Sequence, residues 1–149
     1  MPVIRLETVI HAPIEACFDL SLSVDFHVES MDPSGERAVA GVTSGVMELG
    51  DQVAWAARHF GIPVRMTSLI SAYERPSFFV DEQLRGPFKR WRHEHWFESV
   101  DDGTWMIDVV EFAAPAGPIG ILVEQVGLTA YMAKLLRQRN THLKAALET

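Results

Sequence analysis

The chain has 149 residues, and this length suits one domain with a sizeable core, which we expect to span residues 1–149. Its net charge of −7 argues against nucleic acid or an anionic membrane surface as a partner, because phosphate groups favour basic proteins. Its single cysteine, Cys17, excludes an internal disulfide, which fits a reducing compartment. The chain lacks both a signal-peptide pattern and an apolar run of roughly 18 residues, so we expect a cytoplasmic protein without integral membrane association. We expect it to be a monomer or a homodimer.

The start of the chain predicts one strand followed by two short helices. Residues 3–10, VIRLETVI, alternate with period two and are rich in β-branched side chains, which is typical of a strand. Pro13 can open a helix, on which Ile14 and Phe18 recur at helical spacing. Ser23 is the candidate N-cap of a second helix, which the Pro-Ser-Gly sequence at 33–35 ends.

The middle of the chain predicts six consecutive antiparallel strands. They cover residues 36–45, 50–60, 62–74, 77–85, 88–100 and 104–113, and turn-forming residues separate them. Asp101, Asp102 and Gly103 lie between the last two runs, and a three-residue hairpin loop with glycine at the positive-φ position is the expected connection.

The end of the chain changes to a helical period. Gly117-Pro118 suits a helix start, and cationic residues, Arg139 among them, lie near the C-terminal end, where they favour the helix dipole. The apolar residues that fall on one stripe are Ile121, Leu128, Met132, Leu135, Leu143 and Ala146. The pattern predicts an amphipathic helix near 120–147 that packs across the concave face of the sheet.

With its element order, the opening segment VIHAPIEACFDL and the segment SFFVDEQLRGPFKRWRHEHWFE, the chain resembles the START/Bet v 1-like (SRPBCC) superfamily. This superfamily groups polyketide cyclase/dehydrase and lipid-transport-like domains; the likeness covers nearly the whole chain and points to a bacterial subgroup. The resemblance implies an α+β helix-grip fold, with a curved antiparallel sheet of about seven strands wrapped on a long C-terminal helix and two short helices after strand 1. Members include lipid carriers, hormone receptors, cyclases and co-chaperone-like proteins, so the fold does not choose the function.

Two histidines and two tryptophans fall within residues 88–97, FKRWRHEHWF. Strand parity puts His93 and His95 on one face, together with Lys89, Trp91 and Phe97, opposite a face that carries four charged residues. The histidines should therefore point at the closing helix.

The partners of the two histidines depend on the register of the hairpin. If Val100 lies opposite Thr104, then His93 faces Glu111 and His95 faces Val109, whereas a slip of one residue turns Asp108 inward and Glu111 outward. His93, His95 and Glu111 are the catalytic candidates of an enzyme that would use an inward histidine with a carboxylate.

A metal site, a ligand pocket and ordinary packing compete to explain the two histidines. The segment resembles the cupin metal motif, but Glu98 has the opposite strand parity and points away from His93 and His95. We therefore expect no metal and no cofactor, and the pocket and packing interpretations stay open.

The interpretation that requires the fewest assumptions is a cavity between sheet and closing helix that binds a lipid-like, aromatic or polyketide-like molecule. The expected ligand-binding residues are Trp55, His59, Trp91, His93, His95, Phe97, Leu128 and Met132. A cyclase, dehydratase or isomerase-type enzyme and a protein-interaction domain are the alternatives.

Overall fold

The computed structural model describes residues 2–31, 35–59, 61–113 and 127–149. Its strands are β1 Val3–Ile10, β2 Arg37–Gly41, β3 Gln52–His59, β4 Ile62–Glu74, β5 Phe78–Arg85, β6 Arg90–Val100 and β7 Gly103–Ala113. Its helices are α1 Ile14–Ser21, α2 Val24–Ser30 and α3 Gly127–Leu147. The predicted order of strand, two helices, six strands and a closing helix is confirmed.

The two short helices begin where the sequence predicts. Pro13 precedes α1 in an extended conformation with φ of −61°, which its ring fixes. Ser23 caps α2, and its side chain accepts a hydrogen bond from the Phe26 backbone N–H at 3.1 Å. The two helices follow β1 directly and lie on the side of the sheet that α3 also covers.

All seven strands form one antiparallel sheet in the order β1-β7-β6-β5-β4-β3-β2. Its inner face, the one that packs against the helices, carries a core centred on Phe18 of α1. The Phe18 ring meets Tyr73, Phe79 and Phe97 edge to face, each with a centroid distance of 5.4 Å. This aromatic contact fixes α1 against the inner face of the sheet.

The hairpin between β6 and β7 differs from the expected one by one residue. Val100 pairs with Gly103, so the loop has two residues, and Asp102 rather than the glycine takes the positive φ, at 65°. Gly103 is instead needed for close approach, because a Cβ there would lie 2.3 Å from the Ile10 carbonyl oxygen. The preferred register was therefore wrong, and the slipped one is present: His93 pairs with Val110 and His95 with Asp108.

The closing helix α3 is confirmed over Gly127–Leu147, whereas Ile121 and the expected start at Gly117-Pro118 lie outside the described residues. Its buried side chains are Leu128, Met132, Ala133, Leu135, Arg139, Asn140 and Leu143, while Ala146 is exposed. None of the helices in the described ranges is long and apolar enough to span a membrane.

Candidate functional site

A cavity of about 360 Å³ lies between the inner face of the sheet and α3. Most of its lining is apolar and comes from β3, β4, α2 and α3. The sequence-predicted residues that line it are Trp55, His59, Trp91, His93, His95, Leu128 and Met132. The structure therefore brings together seven of the eight residues that the sequence pointed to.

Two predicted site residues lie elsewhere. Phe97 packs in the core between Phe18 and Phe79 and is not among the described residues that line the cavity. Glu111 lies on the outer face, where its carboxylate is 3.8 Å from the Arg90 guanidinium. The one-residue register shift explains Glu111, because every side chain of β7 changes face with it.

Three polar residues of the cavity wall, Asp81, His93 and His95, form a group with Asp108 behind them, and these four residues are called here the Asp–His cluster. His93 Nε2 donates to Asp108 Oδ1 at 2.7 Å, and His95 Nε2 donates to Asp81 Oδ2 at 2.6 Å. The two imidazole rings stack with a centroid distance of 3.7 Å, and Phe79 stacks on the far side of His95 at 4.0 Å. Two carboxylates thus hold a stacked pair of imidazoles from opposite sides.

Helix α3 closes this cluster with Arg139 and Asn140. Asn140 Nδ2 donates to Asp108 Oδ2 at 2.8 Å, and Arg139 Nη1 lies 3.5 Å from Asp108 Oδ1. Arg139 also donates to the Asn140 side chain at 3.2 Å, and its own side chain is only 5% exposed. A buried carboxylate is tolerated only with such partners, and Asp108 has three.

The electrostatics of the cluster favour ionised aspartates and a neutral His95. Burial by itself raises the pKa of Asp81, but the hydrogen bond from His95 and the charges of both histidines lower this pKa to about 2. Burial opposes ionisation of Asp108 too, and there the hydrogen bond and charge of His93, with the charge of Arg139, bring the pKa well below its ordinary value. Burial, followed by the charge of His93, lowers the pKa of His95 to about 3 despite its bond to Asp81.

Among the cluster residues that line the cavity, Asp81 is the most exposed. Its side chain is 23% exposed, against 5% for His93 and 3% for His95. A polar group on a bound molecule can therefore meet the Asp81 carboxylate and, beside it, the edge of His95.

A second set of polar groups lines the cavity away from the cluster. His27 Nε2 lies 2.7 Å from Glu36 Oε1 and its ring packs against Trp55 at 4.4 Å, while His59 Nδ1 lies 2.6 Å from the Tyr131 hydroxyl. Burial lowers the pKa of His59, although the charge of Glu36 opposes this. The contact of His27 with Trp55 joins α2 to β3, and the contact of His59 with Tyr131 joins β3 to α3.

Sequence analysis missed Asp81 and misplaced Arg139. Asp81 follows Phe79 at period two in β5, so strand parity carried a signal that it points inward beside His93, its partner on β6. Arg139 lies midway between Leu135 and Leu143 at helical spacing, inside the apolar stripe of α3. A charged residue within an apolar stripe indicates a buried partner, and here that partner is Asp108.

No family model matches the chain, and no curated protein matches it significantly. Among solved structures, it is similar to the Zhui aromatase/cyclase from Streptomyces sp. R1128, with a TM-score of 0.76, 14% identity and coverage of 99% of this chain and 93% of that chain. It is also similar to the protein TTHA0849 from Thermus thermophilus, with a TM-score of 0.74, 19% identity and coverage of 97% of this chain and 99% of that chain.

A plant protein has the same arrangement of elements. The similarity to ginseng major latex-like protein 151 from Panax ginseng has a TM-score of 0.67 and 13% identity, and covers 99% of this chain and 98% of that chain. At identities this low the likeness establishes the fold alone, which is a helix-grip fold.

Proposed function

We propose that the protein binds a small, largely apolar molecule in the cavity between sheet and α3, with a hydroxyl group of that molecule against Asp81 and His95. The observation that carries this proposal is a mostly apolar cavity with the buried Asp–His cluster at its wall. The volume of about 360 Å³ lies within the usual range of small-molecule sites, which are mostly apolar with a few convergent polar groups.

The polar cluster supports a ligand with a polar end better than a purely aliphatic one. Asp81 is ionised and faces the cavity, so an apolar group against it would remove water from a carboxylate without replacing the hydrogen bonds. A hydroxyl group can donate to Asp81 and thereby restore the lost contact. The aromatic side chains Trp55 and Trp91 offer flat apolar surface for the rest of the molecule.

A neutral apolar fluorophore, N-phenyl-1-naphthylamine, tests the cavity directly. We expect saturable binding at one site per chain, measured by fluorescence titration. Ala57 lines the cavity on β3, so Ala57→Phe should fill part of it and weaken binding. Ala56→Phe, on the opposite face of the same strand, is the matched control and should leave binding unchanged. Equal binding by both variants would place the fluorophore outside the cavity and contradict the proposal.

The polar end is tested with a matched pair of ligands, 2-naphthol and naphthalene. His95→Phe should weaken 2-naphthol binding by about tenfold to a hundredfold, because the hydrogen bond that holds the Asp81 carboxylate in place for the ligand hydroxyl is lost, and should affect naphthalene far less. Thermal melts of the same samples separate the effect on stability. An unchanged affinity for 2-naphthol with a changed melting temperature would make His95 a packing residue only.

A second candidate is an enzyme that moves protons, as the cyclase, dehydratase and isomerase interpretation requires. The observation that favours it is a neutral, buried imidazole beside an ionised carboxylate at the cavity wall, which is a common acid–base arrangement. The probe is 2-tetralone in D2O: a base that removes the proton α to the carbonyl and returns deuterium leaves a heavier ketone. Exchange faster with wild type than with Asp81→Asn would support catalysis, and equal rates would leave binding alone.

A further inference from the structure

The Asp–His cluster contains more hydrogen-bond acceptors than donors. Four ring nitrogens face two carboxylate oxygens: His93 Nε2 and His95 Nδ1 lie 2.7 and 3.5 Å from Asp108 Oδ1, and His95 Nε2 and His93 Nδ1 lie 2.6 and 3.7 Å from Asp81 Oδ2. An imidazole that carries one N–H has one donor for its two contacts, so its second ring nitrogen lies near a carboxylate as an acceptor.

Among the described residues, one of the four ring nitrogens, His95 Nδ1, has no hydrogen-bond partner. The residue is only 2% exposed, so solvent does not reach this nitrogen to replace the missing hydrogen bond. Moving the His95 hydrogen from Nε2 to Nδ1 would direct it at Asp108, but would leave Nε2 and His93 Nδ1 both facing Asp81 as acceptors. A cation beside Asp81 would satisfy all three of these atoms at once.

We propose that Asp81, His93 and His95 form a binding site for a divalent transition-metal ion, with His93 Nδ1, His95 Nε2 and the Asp81 carboxylate as ligands. Each of the three residues offers one ligand atom, and these atoms lie within 4.8 Å of one another. The proposal goes beyond binding of an apolar molecule and does not depend on it.

Asp108, the remaining member of the cluster, would support the ligands from behind. His93 Nε2 already donates to Asp108, and His95 Nδ1 gains the same acceptor when its hydrogen moves from Nε2, so no proton leaves the site. Asp108 is fixed in turn by Asn140 at 2.8 Å and by Arg139. Imidazoles that bind metals usually donate their other N–H to a carboxylate in this way, which orients the ring.

The donor set indicates which ions fit. Imidazole nitrogens suit zinc, iron, nickel and copper, whereas magnesium and calcium prefer oxygen ligands. Tetrahedral metal bonds of about 2.1 Å place ligand atoms about 3.4 Å apart, so the 2.6 Å contact between His95 and Asp81 must lengthen and the 3.7 Å contact of His93 hardly changes. Because Asp81 borders the cavity, the open coordination position would face a bound molecule.

Sequence analysis predicted no metal because Glu98 has the wrong strand parity. Glu98 is indeed exposed on the outer face, opposite Trp105. The carboxylate that completes the set comes from β5, which the spacing within residues 88–98 does not reveal. Glu98 and Asp81 therefore make a matched pair of carboxylates for a test.

The experiment is a titration of chelator-treated full-length protein with Zn²⁺ by calorimetry and with Co²⁺ by visible absorption. Wild type should bind one ion per chain and give the ligand-field bands of a nitrogen- and oxygen-bound cobalt site. Asp81→Asn should weaken binding by at least about tenfold to a hundredfold, the loss already seen when only an outer partner of a metal ligand is removed. Glu98→Gln and His142→Gln, on exposed residues, should match wild type.

Two results would overturn the proposal. One is the absence of binding to folded wild type at millimolar Zn²⁺ and Co²⁺; the other is equal binding by wild type and Asp81→Asn, which would mark a surface site. Circular dichroism verifies that each variant is folded, and ¹⁵N NMR of the His95 ring should show metal at Nε2. A parallel titration with N-phenyl-1-naphthylamine distinguishes the metal site from the binding of an apolar molecule. Fluorophore binding without metal binding would contradict the metal site alone.

Discussion

Asp108 shows how far one buried carboxylate depends on its partners. It is 1% exposed and accepts hydrogen bonds from His93 and Asn140, with the Arg139 guanidinium 3.5 Å away. The attraction between Asp108 and Arg139 offsets the cost of removing both charges from water. Removal of either one leaves the other buried without its counter-charge.

We expect Asp108→Ala to lower the free energy of unfolding by about 3–5 kcal/mol, because Arg139 then stays buried and uncompensated. The measurement is urea unfolding followed by tryptophan fluorescence. Glu111→Ala, on the outer face of the same strand, removes only an exposed ion pair and should cost less than about 1 kcal/mol. The double variant Asp108→Ala, Arg139→Met should recover part of the loss, and a purely additive result would contradict the coupling.

Residue identities in the site could be predicted only where a period fixed them. Strand parity gave the inward direction of His93 and His95, because alternation in β6 is unambiguous. Asp81 required the pairing of β5 with β6, and its link to His95 required side-chain geometry that no spacing contains. Arg139 was interpreted only as a cation that favours the helix dipole, since its burial depends on a carboxylate that is 31 positions away in the sequence.

At the scale of elements, the β6–β7 hairpin sets the chemistry of the site through its register. The Asp-Asp-Gly sequence predicted a turn correctly but not its length, because both a two-residue and a three-residue loop fit such residues. The register agrees with a contact to β1. The position opposite Val100 lies so close to the Ile10 carbonyl that only a glycine fits there, and Gly103 occupies it. One residue of difference in this loop put Asp108, rather than Glu111, beside the histidines.

Gly103→Ala should therefore destabilise the protein by about 1–3 kcal/mol, the usual cost of forcing a methyl group into a close-packed site. The added Cβ would lie 2.3 Å from the Ile10 carbonyl oxygen and would push β1 away from β7. Gly127→Ala is the control, because nothing lies within 4 Å of a Cβ at the start of α3, and it should be neutral or slightly stabilising. Chemical denaturation measures both, and equal values would contradict the close approach.

At the scale of the whole molecule, the sheet and α3 together keep ionisable groups away from water. The stacked histidines lie under α3, and burial is the first cause of the low pKa of His95. A histidine that is buried in its neutral form must gain a proton on unfolding whenever the pH is below its ordinary pKa. The fold therefore links its stability to pH through the same residues that form the candidate site.

The stability of the protein should fall as the pH drops below about 6.5. Unfolded His95 binds a proton below its ordinary pKa of 6.5, whereas folded His95, with a pKa of about 3, does not, so this one group removes up to about 1.4 kcal/mol per pH unit between these values. His59 adds a loss of the same sign, and below pH 3.8 the lowered pKa values of Asp81 and Asp108 add theirs. Urea unfolding at a series of pH values should show a shallower decline for His95→Gln than for wild type, whatever the stability of the variant at pH 7. Parallel curves between pH 6.5 and 4 would contradict the lowered pKa of His95. They would mean that folded His95 gains a proton in this range as the unfolded residue does.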